Sequence, residues 1–139
     1  MATKREQILA RIATNLVGTV GVSNRIYRSR VEALARAELP AIVVEYIKDE
    51  AEMKGSLPYL DWLLIVRLTV VTRGNIPDQL ADPTIESIHS KLLADITLNS
   101  LAFDIIPVRV EFDVLDTDLP TGISMLFYKV KYRTPLNSM

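Results

Sequence analysis

The sequence predicts an α+β fold: a mostly antiparallel, twisted sheet of four to five strands with two main helices packed on one of its faces. Three observations carry this prediction. Three long segments alternate apolar with charged or polar residues at the two-residue period of a β-strand. Two other segments repeat their apolar residues at helical spacing. Each strand has one oily side that needs a cover, and two amphipathic helices supply it within a single domain spanning residues 1–139.

The elements follow in chain order. Ile8, Leu9, Ile12, Leu16 and Val17 share a helical face in a segment of good helix formers, and Gly18 offers a C-terminal cap, so the first helix is predicted over residues 4–17. After the turn GTVGVSN, RIYRS reads as a short strand, and VEALARAEL as a short helix or turn halted before Pro40. AIVVEYI is apolar and β-branched, which predicts a strand buried on at least one face. DEAEMKGSLPY, residues 49–59, mixes charge with Gly, Ser and Pro without a period and is predicted to be a loop.

DWLLIVRLTVVTR is the clearest strand. Trp62, Leu64, Val66, Leu68 and Val70 fall on one face, and Arg67, Thr69 and Arg73 on the other. In ADPTIESIHSKLLAD, Asp82 is placed to cap a helix with Pro83 at its first position, and Ile85, Ile88 and Leu92 share a side. Ile106, Val108, Val110, Phe112 and Val114 then alternate with Arg109, Glu111 and Asp113. Leu126, Tyr128, Val130 and Tyr132 alternate in turn with Phe127, Lys129, Lys131 and Arg133. Twelve strand residues at about 3.3 Å each span about 40 Å, so these ribbons reach the limits of the domain. A charged face left over by the helices must meet water or a partner.

Composition narrows the function. A chain of 139 residues can bury a core without disulfides or metals, and it has no cysteine, which removes thiolate nucleophiles and cysteine zinc sites and fits a reducing compartment. No uncharged apolar run approaches the roughly 18 residues of a bilayer span, because Arg67 interrupts WLLIVRLTVV; no membrane association is expected. The start MATKREQILARIA lacks a secretory signal pattern, so the first residues are expected to belong to the fold. Net charge is −1 but unevenly spread: residues 1–36 carry seven Lys/Arg against two Asp/Glu. A pI near 5.8 lies far below the value above about 9 expected of a nucleic-acid-binding domain. Poles of opposite sign suit head-to-tail contact between copies of one chain.

Candidate chemistry is sparse. His89, the only histidine, stands beside the apolar stripe of its helix and reads as a helix-edge residue; with no second His and no Cys, a metal cluster would rest on carboxylates alone. Asp113, Asp116 and Asp118 in DVLDTDLPTG raise a calcium or magnesium reading. Their spacing is not that of an EF-hand, and no acidic residue follows to close the loop, so a hairpin turn is favoured. Gly18-Thr19-Val20-Gly21 resembles a G-x-x-G RNA clamp, but that clamp joins two helices and here a helix meets a strand. There is no phosphate-cradling glycine motif, no G-x-S-x-G elbow and no assembled set of nucleophile and base. No cofactor, metal or catalytic residue is expected, and the protein is read as a non-enzyme.

Arg25, Arg28, Arg30 and Arg36 are left for a solvated basic edge or an inter-subunit contact, with Glu38, Asp49, Glu50 and Glu52 as acidic partners on another copy. Tyr27 lies in the same segment. The candidate interface on the strands comprises Arg67, Arg73, Arg109, Glu111, Asp113, Lys129, Lys131 and Arg133. A rival of another class is a nucleic-acid-binding module using the same basic residues, which Glu111 and Asp113 on that face oppose.

The run IYRSRVEALARAELPAIVV, the strand ending in VVTRG, then ADPTIESIHSKLLAD and the hairpin ending in FYKVKYRT resemble, in this order from Arg25 to Thr134, the tail terminator (tail completion) proteins of long-tailed bacteriophages and prophages. The most recognisable segment covers Tyr27, Arg28, Ser29, Arg30, Glu32, Ala33, Leu34, Ala35, Arg36, Glu38, Leu39 and Pro40. The resemblance implies a small α+β protein that forms a hexameric ring on the head-proximal end of the tail tube, stops its polymerisation and joins the tail to the neck. The implied partners are other copies of the chain, the tail tube protein and a neck or head-completion protein, with genomic DNA passing through the ring without sequence-specific binding. The implied location is the virion tail, after assembly in the host cytoplasm. Another neck or head-tail joining protein of the same virion is the alternative. The family has no catalytic residues to carry over.

Overall fold

The computed structural model describes residues 2–28, 39–52, 58–115 and 120–139. Its elements are α1 (Lys4–Leu16), β1 (Ile26–Arg28), β2 (Ala41–Glu52), β3 (Tyr59–Arg73), α2 (Pro77–Leu93), β4 (Asp104–Leu115) and β5 (Thr121–Pro135). The strands form one sheet in the order β1-β2-β3-β5-β4, with β1 parallel to β2 and every other pair antiparallel. The expected α+β class, strand number and helix number are all present.

The core lies between the sheet and the two helices. Ile8, Leu9, Ile12 and Leu16 of α1 and Ala81, Ile88 and Leu92 of α2 pack against the Leu64, Val66, Leu68, Val70 face of β3 and the Leu126, Tyr128, Val130, Tyr132 face of β5. Burying each such aliphatic side chain stabilises the fold by about 1.5–3 kcal/mol. Thr3 caps α1 by accepting the Glu6 N–H at 3.1 Å, and Gly18, at φ 86°, turns the chain after it in the left-handed region.

Three expectations are corrected. The helix predicted to start at Asp82 begins at Pro77, and Pro83 lies inside it. Its first turn is held by tertiary contacts: Pro77 and Ala81 are buried, and the Thr72 hydroxyl donates to the Pro77 carbonyl at 2.9 Å. Residues 49–52, predicted to be loop, continue β2, because the ladder with β3 runs on to Glu52 opposite Asp61. Backbone pairing there does not require apolar side chains.

The third correction concerns β4. A register shift between Pro107 and Arg109 inserts an extra residue, so Ile106, opposite Lys129, lies on the other face from Val110, opposite Leu126. Beyond the bulge, Val110, Phe112 and Val114 do share the helix side of the sheet with Leu126, Ser124 and Gly122. They are nevertheless 44–58% exposed, because α2 touches β4 without covering it.

Candidate interaction surface

The face of the sheet opposite the helices carries the odd-numbered residues of β3 and β5, and no described helix lies over it. It is less ionic than the alternation predicted. Leu63, Ile65, Val71, Ile123 and Met125 are half-buried among the charges, and Phe127 is buried beneath the Arg109 guanidinium, which stands 4.0 Å from the ring centre. A face with an apolar floor and an ionic upper layer suits a protein partner better than bulk water.

Most of its charges are already paired within the chain. Arg67 Nε donates to Glu45 Oε1 at 2.9 Å across β2 and β3. Arg133 Nε donates to Asp61 Oδ1 at 2.7 Å, and its guanidinium sits between the Tyr59 and Phe103 rings at 5.6 and 5.3 Å. The Arg133 bond holds the Asp61 carboxyl below its usual range and raises the arginine in return. Arg109 pairs with Glu111, and Asp113 accepts the Val114 N–H at 2.9 Å. Lys129, Lys131 and Arg73 form no ion pair among the described residues, and Arg73 Nε is buried without a hydrogen-bond partner. These three are the unpaired cations of the face among the described residues, and Glu52 and Asp113 are its unpaired anions.

The residues predicted around β1 have intramolecular roles. Arg25 Nε donates to the Pro40 carbonyl at 2.7 Å and its Nη2 to the Gly21 carbonyl at 2.8 Å, pinning the turn before β1 to the start of β2. Arg28 grips both oxygens of Glu6 at 2.9 Å, tying β1 to α1, and this contact holds Glu6 below the usual carboxylate range. Tyr27 is half-buried between them. Arg30, Arg36 and Glu38, and likewise Asp116 and Asp118 of the acidic turn, lie outside the described residues.

Two of the acidic partners anticipated for another copy are engaged at home. Glu50 meets Lys48 at 2.9 Å. Asp49 has only 3% of its side chain exposed; it accepts the Tyr132 hydroxyl and stands 3.5 Å from Arg5 Nη1. Burial pushes its pKa up, against the opposing pull of Tyr132 and Arg5. Composition hides this cluster, because Asp49 falls in a stretch with a loop's residues; the continuation of β2 and the register shift between Tyr46 and Lys48 turn it inward beside Tyr132. A second unforeseen carboxylate is Asp95, which accepts from Asn15 Nδ2 at 2.8 Å and Arg11 Nε at 2.9 Å and fastens α1 to the turn after α2. The Asn15 and Arg11 bonds keep its carboxyl below the usual range.

His89 stands at the edge of α2, exposed, with Nδ1 3.2 Å from the Tyr128 hydroxyl, whose pKa burial pushes up to about 12. Among the described residues no group of three or more His, Asp or Glu is placed to hold a metal, and no helix is long and apolar enough to cross a membrane.

No protein-family model and no curated protein sequence matches the chain. Among solved structures, a chain in the virion of a native gene transfer agent particle has a similar fold, with a TM-score of 0.53 and 12% identity over 94% of this chain and 92% of that one. The α+β arrangement described here is therefore shared, nearly end to end, with a chain of that virion.

Proposed function

We propose that the protein is a virion structural component of the tail-terminator type. In this reading it forms a hexameric ring that caps the tail tube, ends its polymerisation and joins the tail to the head-neck proteins. The observation that carries it is the near full-length fold shared with a chain of a gene transfer agent virion. The ordered resemblance from Arg25 to Thr134 adds the terminator role.

The physical logic is one of matched and unmatched ends. A tube grows because its tip offers a complementary ring of surfaces; a terminator fits that tip on one side and refuses another tube subunit on the other. Fifteen-residue strands β3 and β5 span about 50 Å at roughly 3.3 Å per residue, enough to line a ring from one rim to the other. Lys129, Lys131 and Arg73 are the open-face cations without an ion pair among the described residues and are available to partners. The nucleic-acid reading is weaker, because Arg67, Arg109 and Arg133 are each held by a carboxylate of the same chain.

Electron microscopy of tail tubes mixed with purified protein tests the proposal. The expected result is a sixfold ring at one end of each tube and arrest of further tube growth. Tubes that keep growing with bare ends would refute it.

A further inference from the structure

The helix side of the sheet is not fully roofed. Strands lie about 4.8 Å apart and packed helices about 8–10 Å apart, so one helix covers about two strands. The two described helices leave part of the five-stranded sheet uncovered. α2 touches β4, yet Val110, Phe112 and Val114 of that strand point to the helix side and stay 44–58% exposed. Between this strip and α2 runs a cavity of about 220 Å³, walled by Ile85 and His89 on one side and by Pro107, Val110 and the Glu111-paired Arg109 on the other, with Leu126 beneath. An apolar cavity of about 150 Å³ is enough to take up a benzene ring, so this one has room for a large apolar side chain.

The shoulder of α2 that overlooks the strip is acidic. Ile85 and His89 mark the side of α2 turned to β4. Asp78, Asp82 and Glu86, spaced by four residues, rise along that same side, all exposed and none in an ion pair among the described residues. At 1.5 Å per residue they run for about 12 Å, matching the roughly 13 Å from Val110 to Val114. A ligand helix with apolar anchors at i, i+3 or i+4 and i+7 spans about 10 Å and fits both.

We propose that this strip is the docking site for a basic amphipathic helix of another protein, which completes the helical layer over β4. Its apolar face covers Val110 and Phe112 and places one side chain in the cavity, while lysines or arginines on its flank meet Asp82 and Glu86. A second copy of this chain cannot supply such a helix from its described elements, because the apolar faces of α1 and α2 are both buried in its own core. The site lies on the opposite side of the sheet from Lys129 and Lys131, so it stands or falls separately from the ring.

The test uses a fluorescent 14-residue helical peptide with leucines on one face and lysines on its flanks, and a counterpart with glutamates in place of the lysines. Titrated against the full chain, the lysine peptide is expected to bind and the glutamate peptide to bind at least about tenfold more weakly. Asp82→Lys with Glu86→Lys should weaken the lysine peptide about tenfold and restore the glutamate peptide. Val110→Ser with Phe112→Ser should weaken both; because these positions are exposed, an unchanged circular dichroism melt will show that the variant is folded. Equal binding of the two peptides, no binding of either, or indifference to both variants overturns the proposal. So does concentration-dependent self-association of the parent chain that Val110→Ser with Phe112→Ser abolishes, since the strip would then belong to a second copy.

Discussion

Replacing Tyr132 by Phe removes one oxygen and isolates a buried carboxylate. Asp49 is 3% exposed, Tyr132 is 2% exposed, and the Tyr132 hydroxyl is the closest donor to Asp49 Oδ2; Asp49 Oδ1 is buried without a partner. With the hydroxyl gone, Arg5 Nη1 at 3.5 Å is the remaining contact among the described residues. A hydrogen bond to a charged group contributes roughly 1.5–3 kcal/mol, so Tyr132→Phe should cost about 2 kcal/mol at pH 8. With a urea slope of about 2 kcal/mol per molar, the unfolding midpoint should fall by about 1 M.

The cost also has a pH signature. Burial raises the Asp49 pKa in the folded chain, so its contribution to stability is complete below the ordinary carboxylate range and is lost as pH rises through the raised value. Removing the donor raises that pKa further and deepens the loss on the alkaline side. At pH 3.5 Asp49 is protonated, the bond is between neutral groups, and the variant should lose only about 1 kcal/mol. Comparing variant with parent at each pH cancels the opposite acid dependence of Glu6, Asp61 and Asp95. In an Asp49→Asn background, Tyr132→Phe should cost the same at both pH values. Equal costs at pH 8 and 3.5 in the parent background, or a cost below about 0.5 kcal/mol at pH 8, would show that the carboxylate is not held as described.

Other perturbations have equally definite outcomes. Glu6→Gln removes the carboxylate that Arg28 grips; the Glu6 pKa is lowered, so its contribution is present above the ordinary carboxylate range and lost as pH falls, and with half of that side chain exposed it should not exceed about 0.5 kcal/mol in urea titrations and should vanish in 1 M salt. Gly122→Ala places a methyl 2.6 Å from Pro77 Cβ and 3.1 Å from the Phe112 ring, so thermal unfolding should show a loss of about 1–3 kcal/mol from overpacking. Lys129→Glu with Lys131→Glu should leave the unfolding midpoint within about 0.5 kcal/mol of the parent, yet abolish capping of tail tubes in electron micrographs.

How much was legible from residues alone follows from what alternation and composition can encode. β3 and β5 could be read because an uninterrupted pleat keeps parity: Leu64 to Val70 and Leu126 to Tyr132 all face the helices. β4 has the same alternation, but its bulge between Pro107 and Arg109 resets parity, and counting residues cannot reveal an extra one. The start of α2 is hidden because Asp82-Pro83 mimics a capped first turn, whereas the true first turn depends on the Thr72 hydroxyl five residues before Pro77 and on burial of Pro77 and Ala81, which local pattern does not encode. Charge on the open face was visible as residue types. Its pairing was not, since Glu45 with Arg67 and Asp61 with Arg133 are joined only by strand register. Asp49 looked like a free partner for the same reason.

In the proposed role, the open face of the sheet, rather than the helical layer, meets other subunits at the end of a tail tube. The chain has no cysteine, so single-cysteine variants report one position each. Maleimide labelling of Lys131→Cys on the open face and Ser90→Cys on the outer side of α2, with and without tail tubes, compares the two surfaces directly. Tubes should protect position 131 and leave position 90 as reactive as in the free protein. Protection of position 90 with position 131 still fully reactive would contradict the proposed role.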